Sequence, residues 1–354
     1  MKKICRYLFI VFLFNFCFVF MLLFIYSDKK NFSVEENRYL QKFSINKTSQ
    51  YVVDHFPFRF HFVVFKNKFE KLLGKTYING VYIGNDGYLF PKYNDCENKK
   101  MIIDTINTFQ SKNKNVDVMI VPDSIEINKD KIKDFIDVDE SIEIDYIYSK
   151  LNTNNINLID TFKNINHNQE LYYKTDHHWN TFGAYYAYVE YRKNKNKKYY
   201  DIDIFNIKKV SNNFLGSSYY KILGIGKSED IYKFDINNNL KVKYVYEKEL
   251  KKSIYEDHYL KEKDQYSYFL NNNHALIEIT NEYVNNGSII VIKNSYANSF
   301  VPFLVNHYNK VYVIDLRYFS ESVSDLIEEN SIDDILILYN LNNLYSDFSI
   351  VKLQ

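Results

Sequence analysis

Asp176, His177 and His178 stand in a row and lead directly into Trp179, the single tryptophan of the chain. Eight histidines serve 354 residues, so a carboxylate beside two imidazoles sets this segment, Tyr172-Tyr173-Lys174-Thr175-Asp176-His177-His178-Trp179, apart from the rest. A carboxylate that orients an imidazole is two-thirds of what makes a serine hydroxyl nucleophilic. The missing third is a serine where a helix begins, because free backbone N–H groups there lower a nucleophile's pKa and can hold an oxyanion. Ser295 has that setting. It follows the apolar run 288–292 and Lys293-Asn294, and a helix-like pattern begins just after it. Serine at such a junction also serves as a plain helix cap, and the pattern alone leaves both roles open for Ser295 and Ser299. Ser124, at the end of the run 116–121, is a rival nucleophile with no evident helix directly behind it.

The same cluster has a second chemical use, as part of a zinc site. Adjacent side chains on an extended segment point to opposite sides, so Asp176 and His178 are expected to converge and His177 to point away. Further ligands would have to come from His55, His61, His274 or His307. No metal and no cofactor is expected. Three more residues are oxyanion or substrate candidates. Asn273 offers a side-chain N–H, Gly216 a backbone N–H, and Arg317, one of few arginines, a cation after the run 311–314. A polar turn (Asn273) and an ion pair (Arg317) are the competing roles.

Positioning these groups calls for a layered scaffold. Residues 99–112, 140–151 and 181–194 read as helices, with Ala184, Tyr185 and Tyr188 on one face of the last. Short continuous apolar runs at 116–121, 156–159, 288–292, 311–314 and 334–339 read as strands, with further helices at 300–308 and 320–329. Such alternation indicates a mainly parallel sheet covered on both faces, and sheets of that kind place their sites beyond the carboxyl ends of the strands. Before this body, residues 60–73 read as a helix ending at Gly74. Asn85-Asp86-Gly87 between apolar residues reads as a hairpin turn. Residues 200–275 are rich in Asn, Lys and Tyr and read as an irregular insertion with short strands such as 240–246 and no repeat. The expected organisation is a tail at 1–6, an apolar span at 7–26, an extension with helix and hairpin at 27–100, and an α/β domain at 101–354.

Location limits the substrate. Lys2, Lys3 and Arg6 precede about 20 uncharged residues, enough to cross the roughly 30 Å hydrocarbon core as a helix. Cations before the span favour an N-terminus inside and the body outside. A cleaved signal peptide is the competing reading. The run is longer than the usual apolar region of one, and no small-x-small site follows it. Cys5 and Cys17 lie in or beside the span, leaving Cys96 alone beyond it, so the body has neither an internal disulfide nor a cysteine-ligated metal. Formal charge is +1, with 45 basic and 44 acidic residues, which argues against a nucleic-acid partner. The 34 tyrosines and 28 phenylalanines accompany heavy use of Asn, Lys and Ile, a bias that fits an AT-rich genome as well as sugar stacking.

Asp176-His177-His178-Trp179 together with Ile292-Lys293-Asn294-Ser295-Tyr296-Ala297-Asn298 resembles the DHHW family. That family belongs with the SGNH-hydrolase-like proteins of polysaccharide O-acetylation, of the AlgJ and AlgX type. Glu36-Asn37-Arg38, residues 54–59, residues 81–90, residues 183–188 and Ile314-Asp315-Leu316-Arg317-Tyr318 match as well. The resemblance implies an SGNH-hydrolase-like three-layer α/β/α fold with Ser295 as nucleophile, His178 as general base and Asp176 orienting His178. His177 becomes a structural or substrate-facing neighbour. One departure is Asn294, where the family usually carries Asp. The implied activity is acetyl transfer to a hydroxyl of a cell-surface or exported polysaccharide through an acyl-serine, by a membrane-anchored enzyme outside the cytoplasm. Acetyl-CoA is cytoplasmic, so the resemblance also implies a membrane-bound O-acyltransferase as acetyl donor. A carbohydrate acetylesterase with the same triad is one alternative. A catalytically silent polysaccharide-binding or scaffold protein of an export complex is the other.

Overall fold

The computed structural model describes residues 2–27, 29–93, 98–133, 139–236 and 238–353; Cys96 lies outside them. The chain forms two compact units, Met1–Asn79 with Tyr220–Ile225, and Gly80–Tyr219 with Gly226–Gln354.

Among its described residues the first unit holds the α-helices Lys2–Tyr26, Thr48–Asp54 and Arg59–Leu72 and a 3-10 turn, Ile45–Lys47. The part Ile4–Tyr26 is long and apolar enough to cross a membrane. Arg59–Leu72 stops where the sequence predicts. Gly74 adopts φ +87°, and Lys75 N–H reaches back to Glu70 O at 3.0 Å, a left-handed closure that glycine allows without strain. Two of the matched segments meet here as an ion cluster. Arg38 bonds Asp54 and Glu36, each at 2.8 Å, and Arg59 bonds Glu36 at 2.9 Å.

The second unit opens with an antiparallel hairpin, Val81–Ile83 against Leu89–Pro91, turned by Asp86 and Gly87 at positive φ. Its centre is an eight-stranded sheet. The order is Glu249–Lys251, Leu240–Tyr244, Leu276–Asn281, Lys310–Ile314, Ser288–Lys293, Asp334–Asn340, Val116–Val121 and Asn154–Ile156. From Lys310–Ile314 to the Asn154–Ile156 edge every pairing is parallel; the other three strands add antiparallel pairings. Part of residues 200–275 thus extends the central sheet, while Asn206–Phe214 pairs separately with Glu229–Asp235.

The continuous apolar runs are explained by burial on both faces. Ile289, Val291, Leu336 and Leu338 face one core with Ala184 and Tyr188 of the helix Thr181–Asn194. Ile290, Ile292, Ile335 and Ile337 face the other, against Ile102, Ile106 and Phe109 of Lys99–Lys112 and Ile144 of Glu140–Lys150. Each such side chain contributes about 1.5–3 kcal/mol by leaving water. This is the expected mainly parallel sheet between helical layers. One element moves: the strand expected at 156–159 is Asn154–Ile156, followed by a helix from Ile159. Asn157 ends the strand by accepting the Ile159 N–H at 3.0 Å, a local bond that competes with a ladder.

Candidate functional site

The segment carrying Asp176 is a closed loop. Tyr172 bridges Trp179, Asn180 N–H donates to Leu171 O at 2.9 Å, and Tyr173 N–H donates to His178 O at 3.3 Å. The helix Thr181–Asn194 starts hard against this closure. Asn180 caps it by accepting the Gly183 N–H at 3.0 Å, and a Cβ on Gly183 would lie 2.3 Å from Leu171 O. Glu229 clamps the outer arm, accepting Lys174 N–H at 2.7 Å, Thr175 N–H at 2.8 Å and Thr175 Oγ1–H at 2.6 Å. Burial raises the Glu229 carboxyl above its ordinary pKa, and those hydrogen bonds offset it only in part.

Ser295 sits beyond the carboxyl end of the strand Ser288–Lys293, opening a 3-10 turn, Ser295–Asn298. The helix expected at 300–308 is shorter, Val301–Leu304. Residues 305–307 form a turn instead, His307 N–H donating to Leu304 O at 2.9 Å. Pro302 keeps the Ser295 turn separate from this helix, since an α-helix running on from Ser295 would need the N–H that Pro302 lacks and would crowd the carbonyl of Asn298. Asn294 organises the turn. Its Oδ1 accepts the Tyr296 N–H at 3.1 Å, its carbonyl accepts the Ala297 N–H at 3.2 Å, and its Nδ2 donates to Asn340 Oδ1 at 2.5 Å. Asn340 Nδ2 donates in turn to Asp123 Oδ1 at 2.6 Å. The N–H groups of Tyr296 and Ala297 are therefore occupied, and that of Ser295 has no partner among the described residues.

Loop and turn meet at Trp179. Its buried indole N–H donates to Tyr296 O and Ser299 Oγ, both at 2.9 Å. Ser295 Oγ lies 2.8 Å from His178 Nε2, and His178 Nδ1 lies 2.5 Å from Asp176 Oδ1. The other Asp176 oxygen accepts the Ser217 N–H at 2.7 Å. Burial alone would raise the Asp176 carboxyl. The two imidazoles and the hydrogen bonds from His178 and Ser217 outweigh it and hold the group below the ordinary carboxylate range. His178 is buried, while Ser295 stays half-exposed. The arrangement can pass a proton from the serine to an imidazole whose other nitrogen is held by a carboxylate.

His177 departs from expectation. Its ring lies 3.8 Å from that of His178, centroid to centroid, and its Nδ1 is 2.7 Å from Ser217 Oγ. The alternation rule applies to extended backbone, and this loop bends, so both imidazoles fall on one side. Ligand atoms of Asp176, His177 and His178 lie within 4.8 Å of one another, which a metal would need. Both Asp176 oxygens and both His178 nitrogens already have protein partners. Of the other histidines considered, His274 bonds Glu247 and Asn271 O, His307 bonds Tyr188, and His55 bonds the carbonyls of Tyr51 and Lys30.

The remaining candidates are placed as follows. Gly216 gives its N–H to Thr175 Oγ1 at 3.2 Å, and its lack of a side chain admits Asp176, since a Cβ would lie 2.2 Å from Asp176 Cβ. Asn273 Oδ1 accepts from Lys293 Nζ at 2.6 Å, and its Nδ2 donates to Asn272 Oδ1 at 3.1 Å. Arg317 pairs with buried Asp315 through two hydrogen bonds, 2.8 and 2.5 Å. Ser124 is buried, its Oγ accepting from Asn128. Sequence reasoning missed Ser217, Glu229, Asn340 and above all Tyr266, whose ring lies on His178. Ser217 directly follows Gly216, the one signal available; the others carry none.

A family model described as DHHW protein matches residues 32–314. A DHHW family protein from Eubacterium siraeum aligns with a TM-score of 0.68 at 20% identity, over 78% of this chain and 95% of that one. Bacillus cereus PatB1, solved with a sulfonyl adduct, aligns with a TM-score of 0.65 at 21% identity, over 77% and 98%. The O-acetyltransferase domain of Pseudomonas putida AlgJ aligns with a TM-score of 0.49 at 12% identity, over 77% and 98%. No curated protein sequence matches. The first two alignments establish a shared SGNH-like fold, and the matched residues include both the Asp176–Trp179 segment and the Ser295 turn. The chain belongs to the DHHW family.

Proposed function

We propose that this protein is an extracytoplasmic O-acetyltransferase that acts on a polysaccharide through an acyl-serine intermediate. The observation that carries the reading is the hydrogen-bonded line Ser295 Oγ, His178 Nε2, His178 Nδ1, Asp176 Oδ1, with separations of 2.8 and 2.5 Å at its two links. In the first half-reaction Ser295 Oγ attacks the acetyl carbonyl while His178 takes its proton. The bond to the donor's leaving group breaks, and His178 returns the proton to that group. In the second half-reaction a sugar hydroxyl gives its proton to His178 and attacks the acetyl carbon, and Ser295 leaves with the proton. General-base assistance of this kind is worth about 10²–10⁴-fold. The Ser295 N–H stabilises the tetrahedral oxyanion, and one such donor contributes about 10²–10³-fold. Asp176, kept ionised by its surroundings, holds His178 in the tautomer that accepts from serine and stabilises the imidazolium.

The Ile4–Tyr26 helix is proposed as an uncleaved signal anchor with the enzyme domain outside. Acetyl-CoA is then out of reach, and the donor is a membrane-bound O-acyltransferase that delivers acetyl groups across the bilayer. The test uses the full chain in detergent with p-nitrophenyl acetate and an oligosaccharide acceptor, following acetylated sugar and free acetate by mass spectrometry. Acetyl transfer that disappears in Ser295→Ala supports the reading. Acetate release without transfer makes the protein an esterase. Neither activity makes it a silent polysaccharide-binding or scaffold protein.

A further inference from the structure

The helix Arg59–Leu72 wears three of its four phenylalanines on the outside. Phe62, Phe65, Phe69 and Leu72 are 46, 67, 49 and 81% exposed. At about 100° per residue they fall within an arc of roughly 80°. Opposite this stripe is Asn67, fully buried, its Nδ2 donating to Leu223 O at 3.2 Å. The packed side carries Asn67 with half-buried Phe60, Val63 and Val64, so the outward phenylalanine seam is a second apolar face, which a helix of a water-soluble body does not usually expose. Lys66 and Lys68 border the seam, one on each side.

The seam continues onto the N-terminal helix. The ring of Phe20 stacks on Phe56 at 5.2 Å and approaches Phe62 at 6.1 Å. Ile4–Tyr26 has its midpoint near residue 15, so Phe20 lies only about 8 Å along the axis from the centre of the span. Half of a hydrocarbon core is about 15 Å. With the helix inserted, Phe20 and whatever touches it lie at acyl-chain depth, not in the water above. Phe56 and Phe62 touch it.

We propose that Arg59–Leu72 is an interfacial helix, lying in the outer leaflet with Phe62, Phe65, Phe69 and Leu72 among the acyl chains and Lys66 and Lys68 at the headgroups. This rests on the reading of Ile4–Tyr26 as a membrane anchor. The chemistry is that of a lipid-facing amphipathic helix with phenylalanine and leucine on one side and lysine at its borders. The anchor and the helix together give two attachments, fixing the first unit against the bilayer.

The test places a nitroxide label on single cysteines in the full chain, with Cys5, Cys17 and Cys96 replaced by serine, in phosphatidylglycerol–phosphatidylcholine vesicles. The variants are Phe65→Cys and Phe69→Cys on the seam, Phe14→Cys in the span and Lys208→Cys as the aqueous reference. Collision rates with oxygen and with a water-soluble nickel chelate report depth. At positions 65 and 69 the oxygen-to-nickel ratio is expected to shift from the value at 208 towards the value at 14. Ratios at 65 and 69 equal to that at 208 overturn the proposal, since the seam then faces water. Low collision with both reagents overturns it too, since a protein partner then covers the seam. An aqueous reading at 14 contradicts the anchor separately, and the seam labels still decide their own question.

Discussion

The phenol ring of Tyr266 lies flat on the imidazole of His178, with centroids 3.7 Å apart and planes 7° from parallel. The hydroxyl of the same tyrosine bonds Ser295 O at 3.2 Å and Ser299 Oγ at 3.0 Å. One side chain therefore walls the proposed base and props the turn that carries the proposed nucleophile.

The two contacts separate by mutation. Tyr266→Phe keeps the wall and loses the props, costing about 0.5–1.5 kcal/mol of stability and little activity. Tyr266→Ala removes both and opens a cavity worth about 3–5 kcal/mol. It also frees the His178 ring to rotate, so kcat falls while KM changes little. Thermal unfolding and steady-state kinetics on both variants check this.

Asn294→Asp tests the departure from the usual family residue. An aspartate retains the acceptor for Tyr296 N–H but loses the donor to Asn340 Oδ1. Turning the Asn340 amide does not help, because its oxygen would then face the buried Asp123 carboxylate. The variant is expected to lose about 1–3 kcal/mol and to recover part of it in the double variant with Asp123→Asn. A double-mutant unfolding cycle measures the coupling, and additive losses would show that the chain does not act as one network.

Gly216→Ala puts a methyl group 2.2 Å from Asp176 Cβ and 2.5 Å from its Oδ2. Overpacking of this kind costs about 1–3 kcal/mol. Because Asp176 must move, the activity loss exceeds what the stability loss explains. Activity measured well below the melting midpoint distinguishes displacement of Asp176 from simple unfolding.

Lys293 is buried beside Asp315. Burial lowers its pKa to about 8, Asp315 opposes the shift and Arg317 adds to it. A lysine with a depressed folded pKa is stabilising relative to its charged state above the unfolded value, near 10.5, and loses that contribution as pH falls through about 8. Over pH 8 to 9.5, below the range of ordinary tyrosine titration, unfolding free energy of the native chain rises with pH. The slope flattens in Lys293→Met. Denaturant unfolding at several pH values gives both slopes.

Much of this molecule was legible before its structure, for identifiable reasons. Strands buried on both faces leave unbroken apolar runs, so 116–121, 288–292 and 334–339 stood out. Asp176, His178 and Ser295 belong to residue types that are scarce or placed at a strand end. Other features depend on the folded path of the chain. The expectation that His177 points away from His178 holds for extended backbone, and this loop bends. The helix expected at 300–308 ends at Leu304, because apolar residues continue through Val305 into a turn that no local pattern distinguishes from helix. Tyr266 and Glu229 come from a stretch without periodicity and reach the site only through tertiary packing, 88 residues (266 − 178) and 54 residues (229 − 175) from the groups they hold. No local pattern marks such a residue.

The most direct measurement is covalent trapping by a sulfonyl fluoride on the full chain, with the modified peptide located by mass spectrometry. One adduct is expected, on Ser295, greatly slowed in His178→Ala while circular dichroism shows the variant folded. An adduct on Ser124, or none on a folded native chain, would contradict it.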